Sequence, residues 1–146
     1  MRYLLLALRF LWASPNTLIG LTIGGLGLCL GAKVRVRGRT LEFYEGGVQW
    51  MLQHISYHQN IAAMTLGHVI LGQTGLALEF VRQHEGVHVA QFERWGPFML
   101  PAYLLSSVYV WTRRRRFYRD NPFEREAFGD DAPHEHEDHE EQGRTQ

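Results

Sequence analysis

Residues 84–88 read His-Glu-Gly-Val-His, the pattern H-E-x-x-H. On a helix, positions four apart share a face, so His84 and His88 can both reach one Zn²⁺ while Glu85 projects beside them. The chemistry suited to that arrangement is metal-assisted hydrolysis. Zinc lowers the pKa of a bound water towards neutrality, and an adjacent carboxylate takes its proton as the oxygen attacks a carbonyl. With 8 His in 146 residues, such a motif arises by chance in about three per cent of comparable chains, so its surroundings must carry weight.

A catalytic zinc site needs a third protein ligand and an open position. The segment Asn121-Pro122-Phe123-Glu124-Arg125-Glu126-Ala127-Phe128 supplies two carboxylates, Glu124 and Glu126, just after a proline suited to opening a helix. Cys29 is the only cysteine. No intrachain disulfide and no multi-thiolate zinc site can form, so a metal must be held by imidazole and carboxylate.

Elements that would position these groups are legible in outline. Residues 76–95 carry Leu76, Phe80, Val87, Phe92 and Trp95 at helical spacing, which predicts one helix ended by Gly96-Pro97. Before it, residues 62–71 read as a strand ended by Gly72, and this strand could pair with an extended peptide substrate. Residues 34–37 and 40–43 alternate around Gly38 and predict a β-hairpin closed by Gly46-Gly47.

Two uncharged runs flank this centre. Phe10 to Ala32 gives 23 residues without a charge, long enough to cross a bilayer. Within it, Gly20-x-x-x-Gly24 and Gly27-x-x-x-Gly31 match the small-residue spacing of packed transmembrane helices. A cleaved signal fits less well, since Arg9 interrupts the apolar stretch and no clear cleavage site follows. Two basic residues precede the run (Arg2, Arg9) and four follow (Lys33, Arg35, Arg37, Arg39), so the positive-inside bias predicts a body on the cytoplasmic side of the membrane.

Residues 95–112 form the second run and could also span by length. If they did, Glu124 would stand across the membrane from His84 and His88. The expectation is therefore a packed or interfacial helix, begun after Pro101, with residues 113–118 at lipid headgroups.

The formal charge of zero divides into a basic body, net +8 over residues 1–119, and an end of net −8 over residues 120–146. The final stretch, residues 129–146, holds His134, His136 and His139 among acids and reads as a disordered tail. No phosphate loop, dinucleotide fingerprint or nucleic-acid-binding module is present, so nucleic acid is not an expected partner.

The H-E-x-x-H segment followed 36 residues after His88 by Glu-x-x-Ala resembles the gluzincin class of zinc metallopeptidases. More closely, His-Glu-x-x-His-x-x-Gln with Trp95-Gly96-Pro97, Tyr103 and Asn-Pro-Phe-Glu-x-Glu-Ala is similar to small bacterial membrane-associated proteins with a minimal metallopeptidase core. The resemblance covers most of residues 34–128 and implies a peptidase acting on a peptide or protein. It implies zinc held by His84, His88 and Glu124, with Glu85 as general base, in a membrane-associated protein at a bacterial inner membrane. Glu126 is the second choice as ligand. Many gluzincins place Asp after the Ala to orient a zinc-bound His, whereas this chain has Phe128; Asp120, Glu126 or a backbone carbonyl would have to take that part.

These readings make the chain α+β: an apolar N-terminal segment over residues 1–33, a zincin-like domain over 34–128 and the tail. Tyr103, Tyr109, Tyr118 and His68 are candidates to polarise a substrate carbonyl. His54 and His58, four apart without an intervening Glu, read as structural or surface histidines. With about 100 residues between anchor and tail, a deep specificity pocket is not expected.

Overall fold

The computed structural model describes residues 2–55, 61–113 and 118–129. His58, residues 114–117 and the tail histidines lie outside them, so the expectations for those positions are not addressed. The described chain is α+β, with a four-stranded mixed sheet, helices on both of its faces and a long apolar helix at the N-terminus.

Helix α1 (Arg2–Cys29) runs through Pro15 without breaking. Pro15 has no N–H to give to the Leu11 carbonyl, and the Ser14 hydroxyl donates to that oxygen instead at 2.7 Å. By length and composition α1 could cross a membrane. It also packs lengthwise on the rest of the chain. Ala13 and Asn16 are buried, and the Asn16 amide donates to the Gly96 carbonyl at 2.8 Å. Gly20, Gly24 and Gly27 sit where a Cβ would overlap Val69, the Phe43 ring and Val48.

The hairpin forms as expected from β1 (Lys33–Arg37) and β2 (Thr40–Tyr44), paired antiparallel. Gly46-Gly47 does not merely close it, however. These glycines open helix α2 (Gly46–Ile55). Gly46 has φ +49°, and a Cβ there would collide with the backbone at Gly31 and Ala32; the helix start needs this close approach, which only glycine permits.

The single strand expected over residues 62–71 is instead a tight hairpin, β3 (Ala63–Leu66) and β4 (Val69–Gly72). Its turn is Gly67-His68, with Gly67 at φ +64°, the left-handed conformation that hairpin turns require. The mostly apolar residues on each side hid the reversal, because a buried strand carries no period-two signal. Sheet order is β1-β2-β4-β3, with β2 and β4 parallel, and β3 stands at one edge.

The expected helix over residues 76–95 is broken at Val81 into α3 (Gly75–Phe80) and α4 (Arg82–Trp95). Thr74 caps α3 by accepting from the Ala77 N–H at 3.0 Å. Gly96, at φ +55°, ends α4 and leads through a short 3₁₀ turn into α5 (Met99–Thr112), which begins before Pro101 rather than after it. Asn121 then caps α6 (Pro122–Phe128), with Pro122 at the first helical position as expected.

Alternation along the strands fixes what each sheet face covers. Val69 and Leu71 of β4, with Phe43 of β2 and Leu66 of β3, join the larger core with Ala13, Val48 and Leu52. Ile70 and Ala63 point the other way and pack with Leu78 of α3 and Val89 of α4. The sheet thus lies between α1 and α2 on one side and α3 and α4 on the other, and α4 is held over edge strand β3.

Candidate metal centre

Helix α4 presents His84, Glu85, His88 and Gln91 towards α6 and β3. Glu85, His88 and Gln91 are buried. Glu124 enters from the first turn of α6 and is also buried. Ligand atoms of His84, His88 and Glu124 all lie within 4.8 Å of one another. His84 Nε2 is 3.1 Å from Glu124 Oε2, His88 Nε2 is 3.5 Å from Oε1, and the two Nε2 atoms are 3.1 Å apart.

Hydrogen bonding around this cluster decides the state of His88. The Gln91 side-chain N–H₂ donates to the Phe123 carbonyl and to Glu126 Oε2, each at 3.0 Å. Its oxygen must therefore face His88 Nδ1, 2.9 Å away, and accept a hydrogen bond from it. With Nδ1 carrying that hydrogen, neutral His88 offers a lone pair at Nε2 towards Glu124. Glu124 Oε2 is buried, lies near His84, and has no hydrogen directed at it. Potential ligand atoms from three side chains lie close together, an arrangement that could hold a metal ion. The donor set is two imidazoles and a carboxylate, groups that ligate divalent metals.

Burial pushes Glu124 up, but the adjoining His84 and His88 imidazoles and the Tyr103 hydroxyl outweigh it and hold the carboxyl down at about 2. For His88, burial lowers the pKa, yet contact with Glu124 and Glu85 raises it above the ordinary value. Glu85 is pushed up by burial, against the lowering effects of Thr65, His88 and His84. The Thr65 hydroxyl, from edge strand β3, donates to Glu85 Oε2 at 2.6 Å.

The expected residues thus meet. Glu126, the alternative ligand, points elsewhere: it accepts two hydrogen bonds from Arg94 at 2.7 and 2.8 Å and one from Gln91. The orienting partner of His88 is Gln91, with Glu126 and the Phe123 carbonyl one step behind. Phe128, where the family pattern has Asp, packs its ring on His84 with centroids 4.6 Å apart. Of these partners, Gln91 has a readable signal, since it lies three residues from His88 on the same stripe. Thr65 has none, because its approach depends on how β3 sits under α4.

Among the carbonyl-polarising candidates, Tyr103 donates to Glu124 Oε1 at 2.7 Å. Tyr118 lines both clefts beside the cluster. Burial, with Glu124 and Glu85 nearby, pushes both phenols well above their ordinary range, so they stay protonated donors. Tyr109 is exposed with Arg113 over its ring. His68 belongs to another place altogether: it is buried, stacked on Phe10 and 3.2 Å from Glu93. His54 bonds the Trp50 carbonyl in its own helix, as a structural histidine would.

Helix α5 holds α6 in position. The Asn121 amide donates to the Tyr103 carbonyl at 3.1 Å and to the Ser107 hydroxyl at 2.7 Å, and its oxygen caps the Phe123 N–H. Glu124 and the imidazoles therefore lie on the same side of α5. Two clefts meet at Glu85. One, of about 210 Å³, is lined by apolar groups including Met64, Leu66, Phe92 and Leu100; the other, of about 460 Å³, is bordered by Phe80, Gln83, His84 and Phe128. Neither is a closed chamber, in keeping with the small domain.

No protein-family model matches this chain, and no curated protein or solved structure is significantly similar to it.

Proposed function

We propose that the chain is a membrane-associated, zinc-dependent peptidase domain of the gluzincin kind, and that helix α4 is its active-site helix. One observation carries the reading: three electron-pair donors, His84, His88 and Glu124, meet within 4.8 Å beside a carboxylate held by Thr65, at the junction of two open clefts.

In this reading His84, His88 and Glu124 hold the metal, and a bound zinc ion would supply a Lewis acid and a water acidified to near neutrality. Glu85 accepts the proton from the attacking water and delivers it to the leaving nitrogen, so one carboxylate serves as base and then as acid. Thr65 fixes the orientation of that carboxylate. Tyr118 hydrogen-bonds the carbonyl oxygen as negative charge develops on it. Edge strand β3 offers main-chain groups to an extended peptide or protein substrate. In this reading the domain sits at a bacterial inner membrane with the site on the cytoplasmic face and lipid as the second partner, and the apolar α1 supports the membrane association.

The test uses the full chain with His134, His136 and His139 replaced by Asn, so that tail histidines carry no metal. Metal analysis should find about one zinc per chain, lost in the His84→Ala, His88→Ala double variant. Glu85→Gln should keep the zinc and lower peptide hydrolysis by about 10²–10⁴-fold. Zinc retained with no hydrolysis in either the parent or the variant would make the site a structural staple. Absence of zinc from the parent would overturn the reading entirely.

A further inference from the structure

The inner stripe of α1 is occupied along most of its length. Arg9 reaches Glu93 of α4 at 3.3 Å, the Thr17 hydroxyl accepts from the His68 N–H at 3.1 Å, and a Cβ on Gly27 would overlap Val48. Eighteen residues separate Arg9 from Gly27, or about 27 Å of helix at 1.5 Å per residue. Only residues 2–8, about 10 Å of helix, extend beyond this contact. A bilayer's hydrocarbon core is about 30 Å thick. For α1 to cross it, the sheet packed against α1 would enter the hydrocarbon too. With the sheet would go the ion pairs of Arg35 with Glu42 and of Arg39 with Glu93, whose charges would lose their water.

The outer stripe is different. Leu4, Leu8, Leu11, Leu18 and Leu26 are exposed and recur every three or four residues with Pro15 and Thr22 between them. At 100° per residue this line lies roughly 150° around the helix from the inner stripe. Tyr3 and Trp12 are exposed as well, and such aromatic side chains favour the membrane interface.

We infer that α1 lies in the plane of an anionic membrane surface, its outer leucine ridge sunk into the interface and its glycine stripe on the sheet, and does not span the bilayer. Lipid is the occupant that the charges favour. The first 119 residues carry a net +8; Arg9, paired with Glu93, and Lys33 past the helix end, paired with Glu45, keep side chains 56% and 62% exposed and give the helix a basic rim. Anionic headgroups complement that rim. A second copy seated on the same ridge would bring two basic rims together. The inference rests on the membrane association proposed above and is independent of the zinc chemistry.

Spanning and in-plane arrangements differ in where the start of α1 lies, and a single thiol reports it. In a Cys29→Ser background, Tyr3→Cys marks the helix start and Gln53→Cys, at an exposed site on α2, marks the domain. The full chain is expressed in bacteria, and a membrane-impermeant maleimide is applied to intact cells and to inverted membrane vesicles. Both positions should label in inverted vesicles and neither in intact cells. Labelling at position 3 in intact cells, with position 53 protected, would overturn the in-plane arrangement and leave membrane association standing.

Flotation of the purified chain should occur with phosphatidylglycerol-containing vesicles and weaken with salt. The Leu11→Glu, Leu18→Glu double variant should lower the bound fraction by about tenfold or more, with unchanged thermal melting of the unbound protein. A chain that fails to float, whether a monomer or a dimer in solution, would overturn both the inference and the membrane reading, and a dimer would identify a second copy as the cover of the ridge.

Discussion

Gln91 is wholly buried and uses its amide in one sense only: its N–H₂ serves Phe123 and Glu126, so its oxygen serves His88. A glutamine in that orientation does for His88 what a carboxylate does in many zinc sites, fixing the tautomer that leaves Nε2 free. Gln91→Leu keeps the volume and removes the acceptor. Zinc affinity, measured by competition with a chromophoric chelator, should fall by about 10–100-fold. The imidazole nitrogen NMR shifts of metal-free His88 should also lose the Nδ1–H pattern, a change that a packing defect would not produce. Gln91→Glu, which preserves the acceptor, should retain that pattern. The motif residues at this scale were readable because their meaning is local: two histidines and a glutamate within five positions share a helix face whatever surrounds them. Choosing Glu124 over Glu126 was not local. It depended on Arg94 lying close enough to claim Glu126.

Among the elements, α1 carried the most ambiguous signal. Its glycine spacing fits close helix packing in a membrane, and the same absence of side chains fits close packing on a sheet. Contacts decide between them: Gly24 sits on the Phe43 ring, while Gly25 has open space around it. Gly24→Val should therefore destabilise the domain by about 1–3 kcal/mol or more in chemical denaturation, and Gly25→Val by much less. Equal effects would mean that the glycine stripe does not bear on the sheet. Hairpin β1–β2 was legible from alternation of residue type on either side of Gly38, although β1 itself is exposed on both faces. The β3–β4 hairpin was not, because β4 is buried throughout and a strand covered on both faces has no alternation to read. The break at Val81 was equally hidden, as α3 and α4 continue the same apolar spacing on either side of it.

For the whole molecule, the metal-free cluster couples folding to pH. Glu124 is held at about 2, below the ordinary 4.5, so its stabilising contribution is present above 4.5 and is lost as pH falls towards 2. His88 is raised above 6.5, so its contribution is complete below 6.5 and is lost as pH rises through the folded value. Under the proposed function zinc would replace that proton, and its binding would release it. Melting curves between pH 5 and 9 should show the metal-free chain losing stability across the His88 titration while the zinc-induced rise in Tm grows over the same interval. A zinc effect that shrank with rising pH would place the metal elsewhere.

By itself, the sequence determined the chemical inventory: the paired imidazoles, the glutamate between them, two carboxylates behind a helix-opening proline, and an uncharged run from Phe10 to Ala32. Helical geometry and residue type suffice for these, because both act over a few positions. Only the tertiary structure decided that Glu124 faces the imidazoles, that Gln91 and Thr65 orient His88 and Glu85, and that the glycines of α1 lie on the sheet. Such choices are made by side chains far apart in the chain competing for the same buried partners, and that competition exists only once the elements have packed.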